Sequence, residues 1–271
     1  MIMRVAACII LYYPNEADLE KDIRAIAGNV DTLILWRNSS ERIPLPDNLP
    51  CEVVNMGDGT NQFISRPLNC CLEYCAENGF DYLLTMDQDS EFEDFGKFLA
   101  VVMDIKENGM HKDAIIFAPN INHRYAESPE ILPVESTITS GSLCDVKASL
   151  AIGGFREKYG IYWVDSEFCH RARLRGYEIL TLAKHNLKQQ FGKKTKVHGV
   201  DCYNYSAQTY YFMFRNMLWM HREYKTNPSV KCILYTSQMY LKSILVGEKA
   251  KWAKLRSVGR GVLQGLFKSY R

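Results

Sequence analysis

Residues 80–90 of this 271-residue chain read FDYLLTMDQDS and give the clearest indication of its fold. An apolar run rich in strand-favouring residues ends in Asp87 and Asp89, which are separated by one residue. Because Asp and Ser favour a turn over a continued strand, the stretch predicts a buried strand that delivers two carboxylates to the edge of a sheet. In open α/β sheets this edge is where ligands bind.

Two carboxylates at such an edge suit a divalent cation that carries a diphosphate. Mg²⁺ and Mn²⁺ prefer oxygen ligands, and Mg²⁺ is commonly held by one or two carboxylates together with substrate phosphates. An Asp-x-Asp triplet also arises by chance about once in several hundred residues, so a plain surface turn is the alternative for this motif taken alone.

The rest of the chain predicts alternating strands and helices, as an α/β domain with a parallel sheet requires. Before the acidic stretch, apolar runs and helical spacing alternate at residues 4–12, 16–29, 32–36 and 51–55. The next helix begins near Arg66, where a guanidinium and a helix N-terminus together suit a phosphate, although an exposed, ion-pairing Arg66 fits equally well. After the stretch we expect a helix, a strand, a surface loop, a strand and a further strand at residues 95–107, 114–118, 120–133, 134–138 and 177–183.

A second acidic cluster, VDSEFCHR, occupies residues 164–171 and predicts a helix closed by Gly176. Asp165 and Glu167 would lie in its first turn, where complementarity to the helix dipole is the structural alternative. Four acids in two clusters favour a shared site in which one pair holds a metal and the other supplies a general base. His185, just after the strand at 177–183, is a candidate third ligand, although a lone histidine is more often structural.

Composition places the protein among ordinary globular proteins, with 47% hydrophobic and 24% charged residues and a net charge of +2. No apolar run reaches the roughly 20 residues of a membrane span, and the N-terminus leads directly into a strand, so we expect a cytoplasmic protein. Nine cysteines without paired spacing predict free, buried thiols rather than disulfides or a zinc site.

A change in composition near residue 200 predicts two parts, an α/β domain at 1–200 and a helical segment at 201–271. Residues 249–271 contain seven Lys or Arg and no acid, interleaved with apolar residues. Such a segment suggests a helix lying on an anionic membrane surface, and a packed helix with a solvated basic face is an equal alternative. Nucleic acid is not expected as a partner, because no base-stacking motif accompanies the charge.

Taken together, these motifs resemble the inverting family 2 glycosyltransferases of GT-A fold, and among them the bacterial rhamnosyltransferase-like members. The resemblance covers about residues 4–216. Its most specific pieces are DQDS at 87–90, TSGS at 139–142, GGFRE at 153–157 and VDSE at 164–167 with Arg171. It implies a Rossmann-like, mostly parallel central sheet flanked by helices, with a C-terminal helical appendage.

The resemblance also implies a role for each matched residue. Asp165 would be the catalytic base, and Asp87, Asp89 and His185 would hold Mg²⁺ or Mn²⁺ on the donor diphosphate. The donor pocket would be lined by Tyr12, Asn38, Asp87, Ser140, Gly141, Glu167 and Arg171, together with Arg66, which is expected there from its place at a helix N-terminus and not from the resemblance. The implied reaction is one in-line displacement that moves a sugar onto a hydroxyl of a glycan or lipid-linked acceptor, in surface polysaccharide synthesis on the cytoplasmic face of the membrane.

Three residues depart from the family's pattern and leave the donor open. Arg37 stands where most relatives carry an Asp that helps to hold the base, Phe63 stands where glycine is usual, and Tyr162 replaces an acid common in the rhamnosyl subgroup. The subgroup favours dTDP-L-rhamnose, and a UDP- or GDP-sugar is the alternative. Two other function classes are alternatives to a glycosyltransferase. One is a nucleotidyltransferase, although the Gly-rich basic phosphate loop that would support it is not found near the N-terminus. The other is a non-catalytic relic of the same fold that binds nucleotide sugars.

Overall fold

The computed structural model describes residues 3–268 except 42–45, 47, 126, 190, 191, 193 and 226. The chain forms two compact units. The first comprises Met1–Arg156 and Asp165–Gln190, and the second comprises Glu157–Val164 and Phe191–Arg271.

The first unit is built on a mixed, nine-stranded sheet. Its strands are β1 (Val5–Leu11), β2 (Thr32–Arg37), β3 (Glu52–Met56), β4 (Tyr82–Asp87), β5 (Ser90–Phe92), β6 (Ala114–Ile121), β7 (Ile131–Pro133), β8 (Ser142–Asp145) and β9 (Glu178–Gln189). They follow the order β3-β2-β1-β4-β8-β6-β9-β5, with β7 also paired to β9. Strands β1 to β4, β6 and β9 run in one direction and β5, β7 and β8 in the other, which confirms the predicted α/β fold with a mostly parallel sheet.

Helices cover both faces of this sheet, which explains why its central strands are apolar throughout. They are α1 (Glu16–Ala27), α2 (Ser65–Glu77), α3 (Phe95–Glu107), α4 (Val146–Ala151) and α5 (Val164–Leu174). Helices α1 and α3 pack on the face that carries Ile9 and Leu84, in one large buried cluster. Helix α2 packs on the opposite face, where the Cys71 thiol lies 3.1 Å from that of Cys8 on β1.

Two predicted segments differ from the structure. Residues 134–138 were expected as a strand but have irregular backbone, whereas the expected loop at 120–133 contains the end of β6 and all of β7. The ladder between β7 and β9 ends where the Val134 amide bonds to the Ile179 carbonyl. Strand β9 also continues to Gln189, well beyond the predicted end at residue 183, because after an irregularity it pairs with β6 again and also with β5.

The second unit contains a short hairpin and three helices. Its elements are β10 (Thr195–Val197), β11 (Val200–Cys202), α6 (Ala207–Tyr224), α7 (Val230–Gly247) and α8 (Lys251–Phe267). Helix α8 approaches α6 closely, since a Cβ added to Gly261 would lie 2.5 Å from the Tyr211 carbonyl oxygen. Within the described residues no helix is both long enough and apolar enough to cross a bilayer.

Asp22, on the inner side of α1, is a buried acid of the first unit with 6% exposure. Burial raises the pKa of this carboxyl to about 7, and the nearby Glu91 adds to the effect. Because the pKa of Asp22 is higher in the folded than in the unfolded protein, the folded protein binds more protons than the unfolded one between about pH 4 and 7. The contribution of Asp22 to the free energy of unfolding therefore falls as pH rises through that range.

We therefore expect Asp22→Asn to raise the melting temperature at pH 8 by at least about 2–4 °C, corresponding to about 1 kcal/mol, with a smaller gain at pH 5. Thermal unfolding followed by circular dichroism at both pH values measures this. Asp18→Asn, one turn earlier with an exposed side chain, is the matched control and should have little effect. A gain that is absent at pH 8 or equal at both pH values would contradict the assignment.

Candidate active site

The two aspartates of the opening stretch converge at the carboxyl-terminal edge of the sheet. Strand β4 ends at Asp87, and Asp89 follows in the turn to β5. Ser90 pairs with Gln189 between β5 and β9. This register places the side-chain Nε2 of Gln189 3.5 Å from Asp87 Oδ2 and 3.4 Å from Asp89 Oδ1. These are long, weak contacts, but they show that both carboxylates point to the same place.

A pair of buried serines holds the aspartate turn. The Asp87 backbone N–H donates to Ser140 Oγ at 3.0 Å, and that hydroxyl donates to Ser90 Oγ at 2.6 Å. The Ser90 hydroxyl in turn donates to the Gln189 side-chain oxygen. Ser140 is 1% exposed and Gly141 is also buried, so they position Asp87 from behind and present no surface to a donor, contrary to the expected role.

The backbone conformation and the close packing at position 141 explain why this residue is glycine. Its φ is +78°, and an added Cβ would lie 2.8 Å from Pro119 Cγ, so a side chain would be both strained and obstructed. The Gly141 amide donates to the Thr85 carbonyl at 2.7 Å, two residues before Asp87.

Electrostatics link the aspartate turn to the second acidic cluster. Burial raises the pKa of Asp87 to about 7, with further contributions from the charges of Asp89 and Asp165. The pKa of Asp165 is also raised, chiefly by burial of its carboxylate. Asp89 and Asp165 therefore lie close enough to Asp87 for their charges to act on it, and a cation placed there would relieve this repulsion.

The two aspartates suit a hard divalent metal ion, because both offer carboxylate oxygens at one point and Asp89 is exposed to solvent. His185 does not join them. It lies four residues before Gln189 on β9, about 13 Å away along a strand. Its ring packs edge-on to Phe98, with 6.1 Å between ring centroids. Among the described residues no group of three or more His, Cys, Asp and Glu is placed to hold a metal ion, so the structure does not bring His185 to the aspartates as the predicted third ligand.

Asp165 lies in the first turn of α5, partly exposed, with its Oδ1 accepting from the Ser166 backbone N–H at 2.7 Å. Glu167, two residues later, is fully buried. Its carboxylate accepts from Arg171 Nε at 2.8 Å, from Arg171 Nη2 at 3.0 Å and from Arg156 Nε at 2.7 Å. Both carboxylate oxygens of Glu167 are therefore hydrogen-bonded by the guanidinium groups of Arg156 and Arg171.

Arg171 also ties α5 to the turn that follows α4. Its guanidinium donates to the Gly154 carbonyl at 2.6 Å and to the Ile152 carbonyl. Arg171 is 8% exposed. The expectation that Glu167 and Arg171 line the donor pocket is corrected accordingly, since both face the interior and anchor the helix that carries Asp165.

Asn38 has a similar supporting role, because it is 3% exposed. Its amide donates to the Phe63 carbonyl at 2.8 Å and accepts from the Gln62 backbone N–H at 2.7 Å. Phe63, which stands where glycine is usual, has a left-handed φ of +61° that glycine would adopt without strain. Asn38 therefore holds this loop and offers no surface to a nucleotide.

Tyr12 and Arg66 remain open to solvent. Tyr12 is 48% exposed, and Arg66 is exposed in the first turn of α2. Gln88, between the two aspartates, clamps the Tyr12 backbone: it accepts from the Tyr12 N–H at 2.7 Å and donates to the Tyr12 carbonyl at 2.9 Å. The end of β1 is thereby fixed to the acidic turn.

Gln88 and Gln189 were not identified as site residues from the sequence. Gln88 could have been found from its position inside the acidic motif, whereas Gln189 lies in a polar, basic stretch that predicts a loop. The structure also has a cavity of about 1070 Å³ bounded by Phe80, Tyr82 and Asp145. Because Tyr82 begins β4, this cavity lies at the opposite edge of the sheet from the aspartates.

No family model matches the sequence, and no curated protein matches it. Among solved structures, the chain is similar to GalNAc-T7 crystallised with UDP, GalNAc and Mn²⁺, with a TM-score of 0.59 and 9% identity over 81% of this chain. It spans about half of that protein, 48% of its chain.

It is also similar to S. aureus TarS 1–349 in complex with UDP-GlcNAc. The TM-score is 0.59 at 13% identity, over 97% of this chain and 82% of that one. A further structure of TarS 1–349 gives a TM-score of 0.53 at 12% identity, over 98% and 72% of the two chains. At these identities the likeness concerns the fold, and the protein therefore has the GT-A fold of these glycosyltransferases.

Proposed function

We propose that the protein is a glycosyltransferase that moves a sugar from a nucleoside diphosphate donor to an acceptor hydroxyl. The observation that carries the proposal is the convergence of Asp87 and Asp89 at the end of β4, with Asp165 close enough to raise the pKa of Asp87. On a GT-A fold this is the sheet edge at which α/β proteins bind their ligands. Nucleotide sugars in the TarS structure and UDP with Mn²⁺ in the GalNAc-T7 structure support the same class of donor.

Asp87 and Asp89 would hold Mg²⁺ or Mn²⁺ together with the donor diphosphate. When bound, a divalent cation stabilises the negative charge that develops on the leaving diphosphate. The serines behind the turn and the Gln88 clamp fix the two carboxylates before the donor arrives, so little reorganisation is needed. Tyr12 and Arg66 are the predicted donor-binding residues with exposed surface for the nucleotide.

Asp165 is the proposed base. Its carboxylate would accept the proton of the acceptor hydroxyl as the oxygen attacks the anomeric carbon and the bond to the diphosphate breaks, which inverts the configuration. A raised pKa makes a carboxylate a better proton acceptor near neutral pH, provided that it is still ionised. We propose a glycan or lipid-linked saccharide of surface polysaccharide synthesis as the acceptor, which rests on the family resemblance.

The donor can be identified by thermal shift with a panel of dTDP-L-rhamnose, UDP-GlcNAc, UDP-GalNAc and GDP-sugars, each with Mn²⁺ or with chelator. A true donor at about 100 times its dissociation constant adds about 2.7 kcal/mol, which is about 5–10 °C for a chain of this size. We expect one donor to produce this shift with Mn²⁺, and Asp89→Asn to lose it. If no nucleotide sugar shifts the melting temperature, the proposed function fails.

Binding without turnover would indicate a non-catalytic relic, for which the departures at Arg37 and Tyr162 provide a reason. Stabilisation by a nucleoside triphosphate but by no nucleotide sugar would indicate a nucleotidyltransferase. Adding nucleoside triphosphates to the panel, and measuring turnover of any donor that binds, therefore separates the three classes.

A further inference from the structure

The outward face of α8 carries large apolar side chains that are mostly exposed to solvent. Trp252 is 85% exposed, Leu263 60% and Phe267 78%. Intervals of eleven and four residues place these three on one side of a helix with 3.6 residues per turn. Leu266, 44% exposed, widens the same stripe.

The opposite face of α8 is fixed against α6, so the apolar stripe cannot turn inward. Val258, Gly261 and Gly265 are buried on that face. A Cβ on Gly265 would lie 2.8 Å from Leu218 Cβ, so the two helices are in close contact. Lys254 is buried on the same side, where its ammonium group lies 2.6 Å from Glu248 Oε2.

Exposed cations lie within and beside the stripe, and no acid between residues 230 and 268 is exposed. Arg256 and Arg260 are both exposed on α8. Between residues 230 and 268 the only acid is Glu248, which is 2% exposed and bonded to Lys254 and Tyr210. Exposed cations in this range are Lys231, Lys242, Lys249, Lys251, Arg256, Arg260 and Lys268.

Helix α7 has the same character on its outer side. Leu234 and Tyr235 are 65% and 68% exposed, near Lys231 in the sequence. A second copy of the chain docking symmetrically on α8 would bring Arg256 and Arg260 toward their own counterparts, which is unfavourable. An apolar stripe flanked by cations instead matches the boundary between acyl chains and anionic headgroups.

We propose that the outward face of α8 docks on an anionic lipid bilayer, with Trp252, Leu263 and Phe267 inserted at the interface and Arg256 and Arg260 contacting the headgroups. This docking does not depend on the proposed glycosyl transfer, because none of these residues belongs to the acidic site. It would place the protein where lipid-linked acceptors are found.

The first test is fluorescence of the full chain with vesicles of phosphatidylcholine alone or mixed equally with phosphatidylglycerol. Of the four tryptophans, Trp36 and Trp219 are each 5% exposed, and Trp252 is by far the most exposed. We expect a blue shift with the anionic vesicles only, reduced by salt and lost in Trp252→Phe. Binding that needs no anionic lipid, or a shift retained in Trp252→Phe, would overturn the proposal.

The second test is vesicle co-sedimentation of charge-reversed variants. Each cation at the surface contributes about a fivefold to tenfold affinity, so Arg256→Glu with Arg260→Glu should lower the partition coefficient about thirtyfold or more. Lys112→Glu with Lys147→Glu changes the net charge equally at exposed positions of the first unit and should have a much smaller effect. Equal losses in both double variants, or dimer formation that the first variant disrupts without any vesicle binding, would contradict bilayer docking.

Discussion

Replacing Asp165 with Asn is expected to lower turnover by about 10²- to 10⁴-fold while leaving donor affinity nearly unchanged. The amide cannot accept the proton of the acceptor hydroxyl, but it has the same shape. Its oxygen can still accept the hydrogen bond that Asp165 receives from the Ser166 backbone at 2.7 Å, so the first turn of α5 should be preserved. Steady-state release of nucleoside diphosphate gives the rate, and calorimetric titration of the donor gives the affinity.

Asp113→Asn provides the matched control for this experiment. Asp113 is an exposed carboxylate immediately before β6, at the amino-terminal end of a strand parallel to those that deliver the site. Its replacement should change neither rate nor affinity. If Asp165→Asn turns over as fast as the unmodified protein with normal donor affinity, Asp165 is not the base.

Glu167→Ala is expected to lower the free energy of unfolding by about 3–5 kcal/mol, because it leaves the Arg171 guanidinium buried without its counter-charge. Glu167 is fully buried and accepts hydrogen bonds from Arg171 and Arg156. The loss should lower the melting temperature by roughly 10 °C, which thermal unfolding measures directly. Activity should fall as well, because the same contacts hold the helix that carries Asp165.

A double variant tests whether the charge pair is the cause. Combining Glu167→Ala with Arg171→Met removes both buried charges, so part of the lost stability should return relative to Glu167→Ala alone. A loss below about 1 kcal/mol in the single variant would show that the pair is not an anchor, as would a double variant no more stable than the single one.

The order of strands and helices in the first half of the chain follows from the sequence because parallel strands buried on both faces leave long apolar runs. Strand β4 is such a run, and its end at Asp87 is marked by the change to polar turn residues. Strands β7 and β8, of three and four residues, are too short to show periodicity. The end of β9 is polar because only Leu187 is buried among its last six residues, and its pattern therefore resembles a loop.

The candidate acidic residues could be identified from the sequence. Which residues of the motifs face a ligand and which only support the site could not be predicted from it. A residue that contacts the ligand and a residue that supports the contacting side chain are both needed to build the site. Both therefore occur in the same sequence motif, and the sequence alone does not distinguish them. Burial separates them here: Asn38, Ser140, Glu167 and Arg171 lie inside the protein and support the site, while Asp89 is exposed. His185 is on β9, the strand that also carries Gln189, but its ring packs against Phe98 of α3 and not beside the aspartates.

The central claim is that Asp87 and Asp89 hold a metal ion on the diphosphate of a sugar donor. The most direct test is release of nucleoside diphosphate from the donor identified by thermal shift, measured with Mn²⁺ and with chelator. We predict release with Mn²⁺, loss of release with chelator, and at least a hundredfold lower rate in Asp89→Asn. Release that is unaffected by both chelator and Asp89→Asn, or a donor that binds and is never cleaved with or without acceptor, would contradict the account.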